Sequence, residues 1–119
     1  MTLVLDLPMP PSVNAIWRST AKRGKPQYYL DAKYKAWKKE CDALVWVAGA
    51  TGAALREPVT VAIYLNASKR RGDADNRIKA VLDWLQRARI IVNDSQVEKV
   101  SAEWGEAPSG CRVTIEAVA

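Results

Sequence analysis

The chain has 119 residues, a formal net charge of +5 and a composition that is 49% hydrophobic. This length suits one domain with a sizeable core, and the basic balance favours an anionic partner, of which nucleic acid is the commonest. The sequence has no histidine and two distant cysteines, which excludes histidine-based nucleophilic catalysis and leaves too few soft ligands for a structural zinc site.

The sequence also indicates the cellular compartment in which the protein is expected. Its apolar runs fall far short of the ~20 residues of a membrane helix, and the first eight residues lack the basic segment of a secretory signal. We therefore expect a cytoplasmic protein with no membrane contact. Cys41 and Cys111 fit two buried thiols in a reducing compartment, with a disulfide as the alternative.

The first half of the chain predicts one strand and one helix. Alternation over Thr2–Leu7 predicts a strand that the following prolines end. Residues 12–27 predict an irregular basic loop, either a mobile arm or an ordinary solvated loop, in which Arg18 is a candidate DNA contact. Asp31 is expected to cap a helix reaching residues 47–50. The helix has an apolar face of Tyr34, Trp37, Cys41, Leu44, Val45 and Ala48. Its lysines could meet phosphates, although such a face is usually just solvated.

The second half predicts a strand over Val59–Ala67, a helix over Asn76–Arg87, and closing strands over Val97–Trp104 and Arg112–Val118. The buried face of this helix is expected to contain Ile78, Val81, Leu82 and Leu85. The order is β-α-β-α-β-β, which predicts one α/β (α+β) domain over residues 1–119. We expect a mixed sheet with both helices on one face, and a dimer surface among exposed apolar residues on the other.

Asp73 and Asp75 are the most informative pair in the sequence. They stand two residues apart between a strand and a helix, and an extended segment would direct both carboxylates the same way. Two such carboxylates can share Mg²⁺, which prefers oxygen ligands and promotes phosphodiester hydrolysis. Lys79, one helical turn after Asp75, can orient the attacking water or stabilise developing charge. Nearby phosphate contacts would come from Arg70, Arg71 and Arg77.

The same residues also have purely structural interpretations. Asp75 can cap the helix, Asp73 can serve a turn, and Asp75 with Lys79 can form a surface ion pair. Two aspartates at this spacing also occur in haloacid-dehalogenase-type phosphatases, but that fold needs a longer chain. Asp94, which follows the second helix, could return to the other two aspartates or belong to an ordinary turn.

Together the motifs resemble the RusA family of Holliday-junction resolvases, over nearly the whole chain. Three segments carry the resemblance, in order: Pro10-Pro11-Ser12-Val13-Asn14, similar to P-P-S-x-N; Asp73-Ala74-Asp75-Asn76 with Lys79, similar to D-x-D-N-x-x-K; and Asn93-Asp94-Ser95-Gln96-Val97, similar to [DN]-D-x-Q-V. Departures are Gly72 within the basic run, Ala74 in place of a larger apolar residue, and the absence of phenylalanine. They concern DNA contacts and leave the acidic residues in place.

The resemblance implies a homodimeric endodeoxyribonuclease that resolves four-way DNA junctions by paired symmetric cuts in recombination and repair. It implies Mg²⁺, with Mn²⁺ as a substitute, and no small-molecule cofactor. The metal ligands would be Asp73, Asp75 and Asp94, with Lys79 as catalytic lysine and Asn14 near the active site or the DNA. A nucleoid-associated protein of bacterial or prophage origin is expected. The alternative is a non-catalytic branched-DNA-binding module, of phage origin, whose acidic residues serve only as helix caps and turn residues.

Overall fold

The computed structural model describes residues 2–12, 17–22, 25–30, 32–48, 55–70 and 72–118. Asn14, Asp31 and Arg71 lie outside the described residues, so the roles predicted for them are not addressed by the structure. The described chain contains these elements: β1 (Thr2–Leu7), β2 (Trp17–Lys22), β3 (Lys25–Leu30), α1 (Ala32–Ala48), β4 (Val59–Asn66), α2 (Ile78–Arg87), β5 (Val97–Gly105) and β6 (Cys111–Ala117). Short 3₁₀ turns cover Ala67–Lys69, Ala74–Arg77 and Asp94–Gln96.

The main sheet is mixed and has the strand order β1-β6-β4-β5. The β4–β5 pair is parallel, and the other two pairs are antiparallel. Because parallel neighbours cannot be joined by a tight turn, the chain crosses over through α2 between them. The closing strands β5 and β6 follow each other in sequence but are not neighbours, since β4 lies between them. The predicted α+β class with a mixed sheet is confirmed.

The expected irregular loop over residues 12–27 was wrong. Strands β2 and β3 form an antiparallel two-stranded sheet in which Trp17 pairs with Leu30 and Arg18 with Tyr29. Residues of high strand propensity, including Thr20 and Tyr28, favour this structure. Their signal was hidden because basic and polar residues interrupt the apolar alternation.

Both helices pack on the same face of the main sheet, as predicted. The strands contribute buried residues that alternate along each strand, and these join buried residues of both helices in one cluster. The helical members are Tyr34, Trp37, Cys41, Val45, Ala80, Val81, Trp84 and Leu85. Trp84 is fully buried and donates its indole N–H to Asp42 Oδ1 at 2.9 Å, which links the two helices.

Some predicted core positions were wrong. Leu44 is 42% exposed, because the buried stripe of α1 runs through Cys41 and Val45 and leaves Leu44 at its margin. Trp84 was missed, whereas Ile78 and Leu82 pack only partly against the core. Leu44, Ile78 and Leu82 were over-predicted because helical spacing defines a wider apolar face than the sheet covers.

The open face of the sheet is mainly polar. Thr60, Tyr64, Lys99, Ser101 and Thr114 line a shallow pocket there. The apolar dimer surface expected on this face is therefore not found among the described residues.

Cys41 and Cys111 are free and buried, as the thiol interpretation predicted. Burial raises the pKa of both thiols, that of Cys111 to about 12. Both therefore stay protonated and unreactive near neutral pH. Within the described ranges, no helix is both long and apolar enough to span a membrane.

Candidate active site

Asp73 and Asp75 lie in the connection between β4 and α2. Asp73 has an extended backbone, φ −93° and ψ 140°, and directly precedes the 3₁₀ turn that contains Asp75. Both residues are exposed. Asp73 occupies the cap position of this turn, but its carboxylate makes no capping hydrogen bond. The turn-and-cap alternative therefore explains the position of Asp73 without using its carboxylate.

The local geometry differs from the extended segment that was expected. The strand-like conformation stops at Asp73, and Ala74 already begins the 3₁₀ turn. The argument that strand alternation directs both carboxylates the same way was therefore wrong. Helix α2 begins at Ile78 rather than at Asn76, because the 3₁₀ turn takes the place of its expected first turn.

Lys79 makes a different ion pair from the expected one. Its Nζ lies 3.3 Å from Oδ2 of Asp83, one helical turn further along α2. The two side chains are 55% and 46% exposed, so the pair adds little to stability. Asp75 lies in the 3₁₀ turn before α2, so the helical spacing assumed between Asp75 and Lys79 does not apply. An exposed ion pair of this kind is broken at small cost.

Two arginines beside the aspartates contact the protein itself. The Arg70 guanidinium lies 5.9 Å from the ring centroid of Trp104, near the end of β5. Arg77 is half-buried and donates from Nη1 to the carbonyl of Pro10. Arg70 is exposed, and the ring of Trp104 supports its guanidinium from one side. Arg77 instead holds the proline-rich segment after β1 against the turn of Asp75.

Asp94 lies in a turn that Gln96 organises. The Gln96 side chain accepts from the N–H groups of Val92 and Asn93 and donates to the carbonyls of Leu55 and Glu57. Asn93 in turn accepts from the N–H of Ser95, which completes a capping box. Sequence reasoning missed this role of Gln96, although Asn followed three residues later by Gln is a recognised capping signal.

The structure places the aspartates at opposite ends of the β4–β5 pair. Asp94 immediately precedes β5, whose first residue, Val97, pairs with Val59 at the start of β4. Arg70, which packs on Trp104, and Arg77, which reaches Pro10, tie the Asp73–Asp75 segment to the other end. Strand β4 has seven residue steps between those two ends, which corresponds to a length of about 23 Å.

One protomer therefore does not bring the three predicted ligands together. Among the residues that the structure describes, no three His, Cys, Asp or Glu side chains lie close enough to hold a metal ion. The chemistry of Asp73 and Asp75 still fits Mg²⁺. That ion is usually held by one or two protein carboxylates, with waters and substrate phosphate completing its shell.

Comparison with known proteins gives consistent results. The family model described as "Endodeoxyribonuclease RusA" matches residues 8–116. The chain is also 31% identical, over 113 residues, to the protein of Enterobacteria phage HK97 named "Crossover junction endodeoxyribonuclease rusA". This similarity covers 92% of the chain and 88% of the phage protein.

We predict that Gln96→Ala lowers the free energy of unfolding by about 2 kcal/mol, because two hydrogen bonds within the turn and two to the segment before β4 are lost. Ser95→Ala is the matched control, since the capping box uses only the backbone N–H of Ser95. Urea unfolding of both variants measures the difference. Equal stabilities would show that Gln96 does not hold the Asp94 turn in place.

Proposed function

The chain belongs to the RusA family of endodeoxyribonucleases, and we propose that it resolves four-way DNA junctions by paired, Mg²⁺-dependent cuts. The observation that carries this proposal is the exposed Asp73–Asp75 pair, which follows Arg70 in the same connection. Both carboxylates are exposed, and that of Asp73 makes no capping hydrogen bond, so the pair suits a cation and the phosphate that it binds.

Asp73 and Asp75 would hold the ion, with Asp94 completing the ligand set. The chemistry that Mg²⁺ would supply there is the activation of water for attack at phosphorus and the neutralisation of charge on the phosphate oxygens. Arg70, supported by the ring of Trp104, binds a non-bridging phosphate oxygen and orients the strand. Lys79 leaves Asp83 to stabilise the negative charge that develops as the bond to the leaving oxygen breaks.

The separation of Asp94 from the other two aspartates supports a homodimer. Strand β5 is at the edge of the main sheet, and β4 is its one neighbour among the strands that the structure describes. Two copies of β5 pairing antiparallel about a two-fold axis would place the start of one strand beside the end of the other. The Asp94 of one protomer would then approach Asp73 and Asp75 of its partner, and two equivalent sites would form.

The side chains of β5 suit such pairing. With the two-fold axis at Ser101, the middle residue of the strand, Lys99 of one protomer faces Glu103 of the other. Opposite charges at facing positions stabilise a strand pair. Val100 is 36% exposed and Val92 is 46% exposed. Burial of their apolar surface between the two protomers would stabilise the dimer.

A two-fold dimer also suits the substrate. A four-way junction has approximate two-fold symmetry, so two equivalent sites would cut two strands at matching positions. Basic side chains would hold the arms through phosphates, which gives salt-dependent and largely sequence-independent binding. Selectivity for the junction would come from its shape and deformability.

Substitution of the paired aspartates tests the metal site. We predict that Asp73→Asn or Asp75→Asn lowers junction cleavage by roughly a hundredfold or more while leaving junction affinity intact. Each substitution removes a negative charge that would bind the metal, but it leaves the basic side chains that contact the DNA phosphates in place. The assay compares nicking of a mobile four-way junction and a matched duplex, with and without Mg²⁺. Binding without any wild-type cleavage would instead favour the non-catalytic module.

A second test separates the catalytic from the structural role of Lys79. We predict that Lys79→Ala lowers turnover by roughly a hundredfold, whereas Asp83→Asn keeps it near wild type or raises it, because Lys79 is then released from its ion pair. Single-turnover cleavage rates at saturating junction measure both variants. If the two variants lose activity equally, Lys79 acts only through its pair with Asp83.

A further inference from the structure

Lys38 is unusual among the charged residues of the described chain because it is only 8% exposed. Its Nζ lies 4.6 Å from the ring centroid of Tyr34, so part of its lost hydration is replaced by the aromatic face. Burial lowers the pKa of Lys38, and the neighbouring Arg87 and Lys35 lower it further, whereas Asp42 and Asp83 act in the opposite direction. A desolvated ammonium that faces another cation is a costly arrangement for a protein to maintain.

Lys38 belongs to a pocket between the two helices with a volume of about 230 Å³. Its lining residues are Lys35, Lys38, Lys39, Asp42 and Arg87. The first four lie on one face of α1, and Arg87 is the last residue of α2. The lining thus has four cations and one carboxylate, a formal excess of three positive charges.

The single carboxylate of the pocket does not offset this excess. Asp42 accepts a hydrogen bond from the indole of Trp84 at 2.9 Å, so part of its capacity is committed to joining the helices. Like charges one turn apart on a helix destabilise it. An ordinary solvated face would spread its lysines outward, whereas here Lys35, Lys38 and Lys39 converge on one concavity with Arg87.

We propose that this pocket, which we call the interhelical pocket, binds a backbone phosphate of a DNA arm. A phosphate group provides several acceptor oxygens and the negative charge that the convergent cations lack. The four cations that line the pocket suit such a group. This inference rests on the proposed function, since the phosphate belongs to the DNA substrate.

The position of the pocket connects it to the Asp94 turn. Arg87 follows Gln86, whose Oε1 accepts a hydrogen bond from the backbone N–H of Asp94 at 3.2 Å. A phosphate held at Arg87 would therefore fix the DNA relative to the turn that contributes Asp94 to the site. Contacts of this kind set the position and register of DNA without reading its sequence.

The test uses Lys39→Gln/Arg87→Gln, which removes two exposed cations and leaves the buried Lys38 in place to protect the fold. Lys33→Gln/Arg56→Gln is the matched control, because it removes the same charge from exposed positions outside the pocket. Binding to a four-way junction and to a linear duplex is measured by fluorescence anisotropy over a range of salt. An added Asp73→Asn substitution prevents cleavage during these measurements.

We expect the pocket variant to raise the dissociation constant for both DNAs by roughly tenfold and to reduce the slope of log K against log[salt] by about 1 to 2. The control should stay within about twofold of the parent protein. In the cleavable background, the control variant should keep the wild-type single-turnover rate at saturating junction. Thermal unfolding of both variants verifies that each one is folded.

Equal effects in the pocket and control variants, or an unchanged salt slope in the pocket variant, would overturn the assignment of the pocket. Failure of the proposed function is a separate result, seen when the wild-type protein cuts no junction in Mg²⁺. If duplex binding still depends on Lys39 and Arg87 in that case, the pocket stands and the resolvase proposal does not. Absence of any DNA binding overturns both.

Discussion

The parallel pairing of β4 with β5 is the constraint on which the placement of every candidate ligand depends. Parallel strands that follow each other in the chain must be joined by a crossover, and here α2 provides it. The connection into α2 therefore leaves from one end of the pair, and the connection into β5 returns at the other. Asp73 and Asp75 occupy the first connection, and Asp94 occupies the second.

Polar side chains fix these two connections to the rest of the fold. Arg77 ties the first to the segment after β1, and Gln96 ties the second to the segment before β4. Neither residue is fully exposed, so their hydrogen bonds compete less with water. The acidic residues themselves remain exposed and are positioned by their neighbours. The motif residue Gln96 therefore has a structural role, because it holds the Asp94 turn against the segment before β4.

Much of the fold could be predicted because its signals are local. Alternation along Val59–Asn66 and helical spacing in α1 each report burial against the single sheet face that the helices cover. Local patterns do not report which strands pair, so the placement of β4 between β5 and β6 was not predictable from periodicity. The hairpin of β2 and β3 was missed because its polar residues mask the alternation.

The identities of the candidate site residues came from three motifs in a fixed order, but their geometry did not. The sequence suggested that Asp94 returns to Asp73 and Asp75 within one chain, whereas the structure places Asp94 at the opposite end of the parallel pair, whose strand β4 spans about 23 Å. It also suggested a pair between Asp75 and Lys79, whereas Lys79 contacts Asp83. The first error arises from the long-range pairing of the strands. The second arises from the 3₁₀ turn at Asp75, which the sequence pattern did not distinguish from the start of a helix.

Mixing two inactive variants tests the shared site most directly. Asp73→Asn and Asp94→Asn homodimers are each expected to be inactive. In a heterodimer of the two variants, each shared site combines Asp73 of one chain with Asp94 of the other. One of the two sites then carries both substitutions, and the other site carries neither. Unfolding and refolding the mixed variants should therefore restore nicking of one junction strand, at up to the activity of one site per heterodimer. If the heterodimers form but remain as inactive as either parent, Asp73 and Asp94 do not meet across the two protomers.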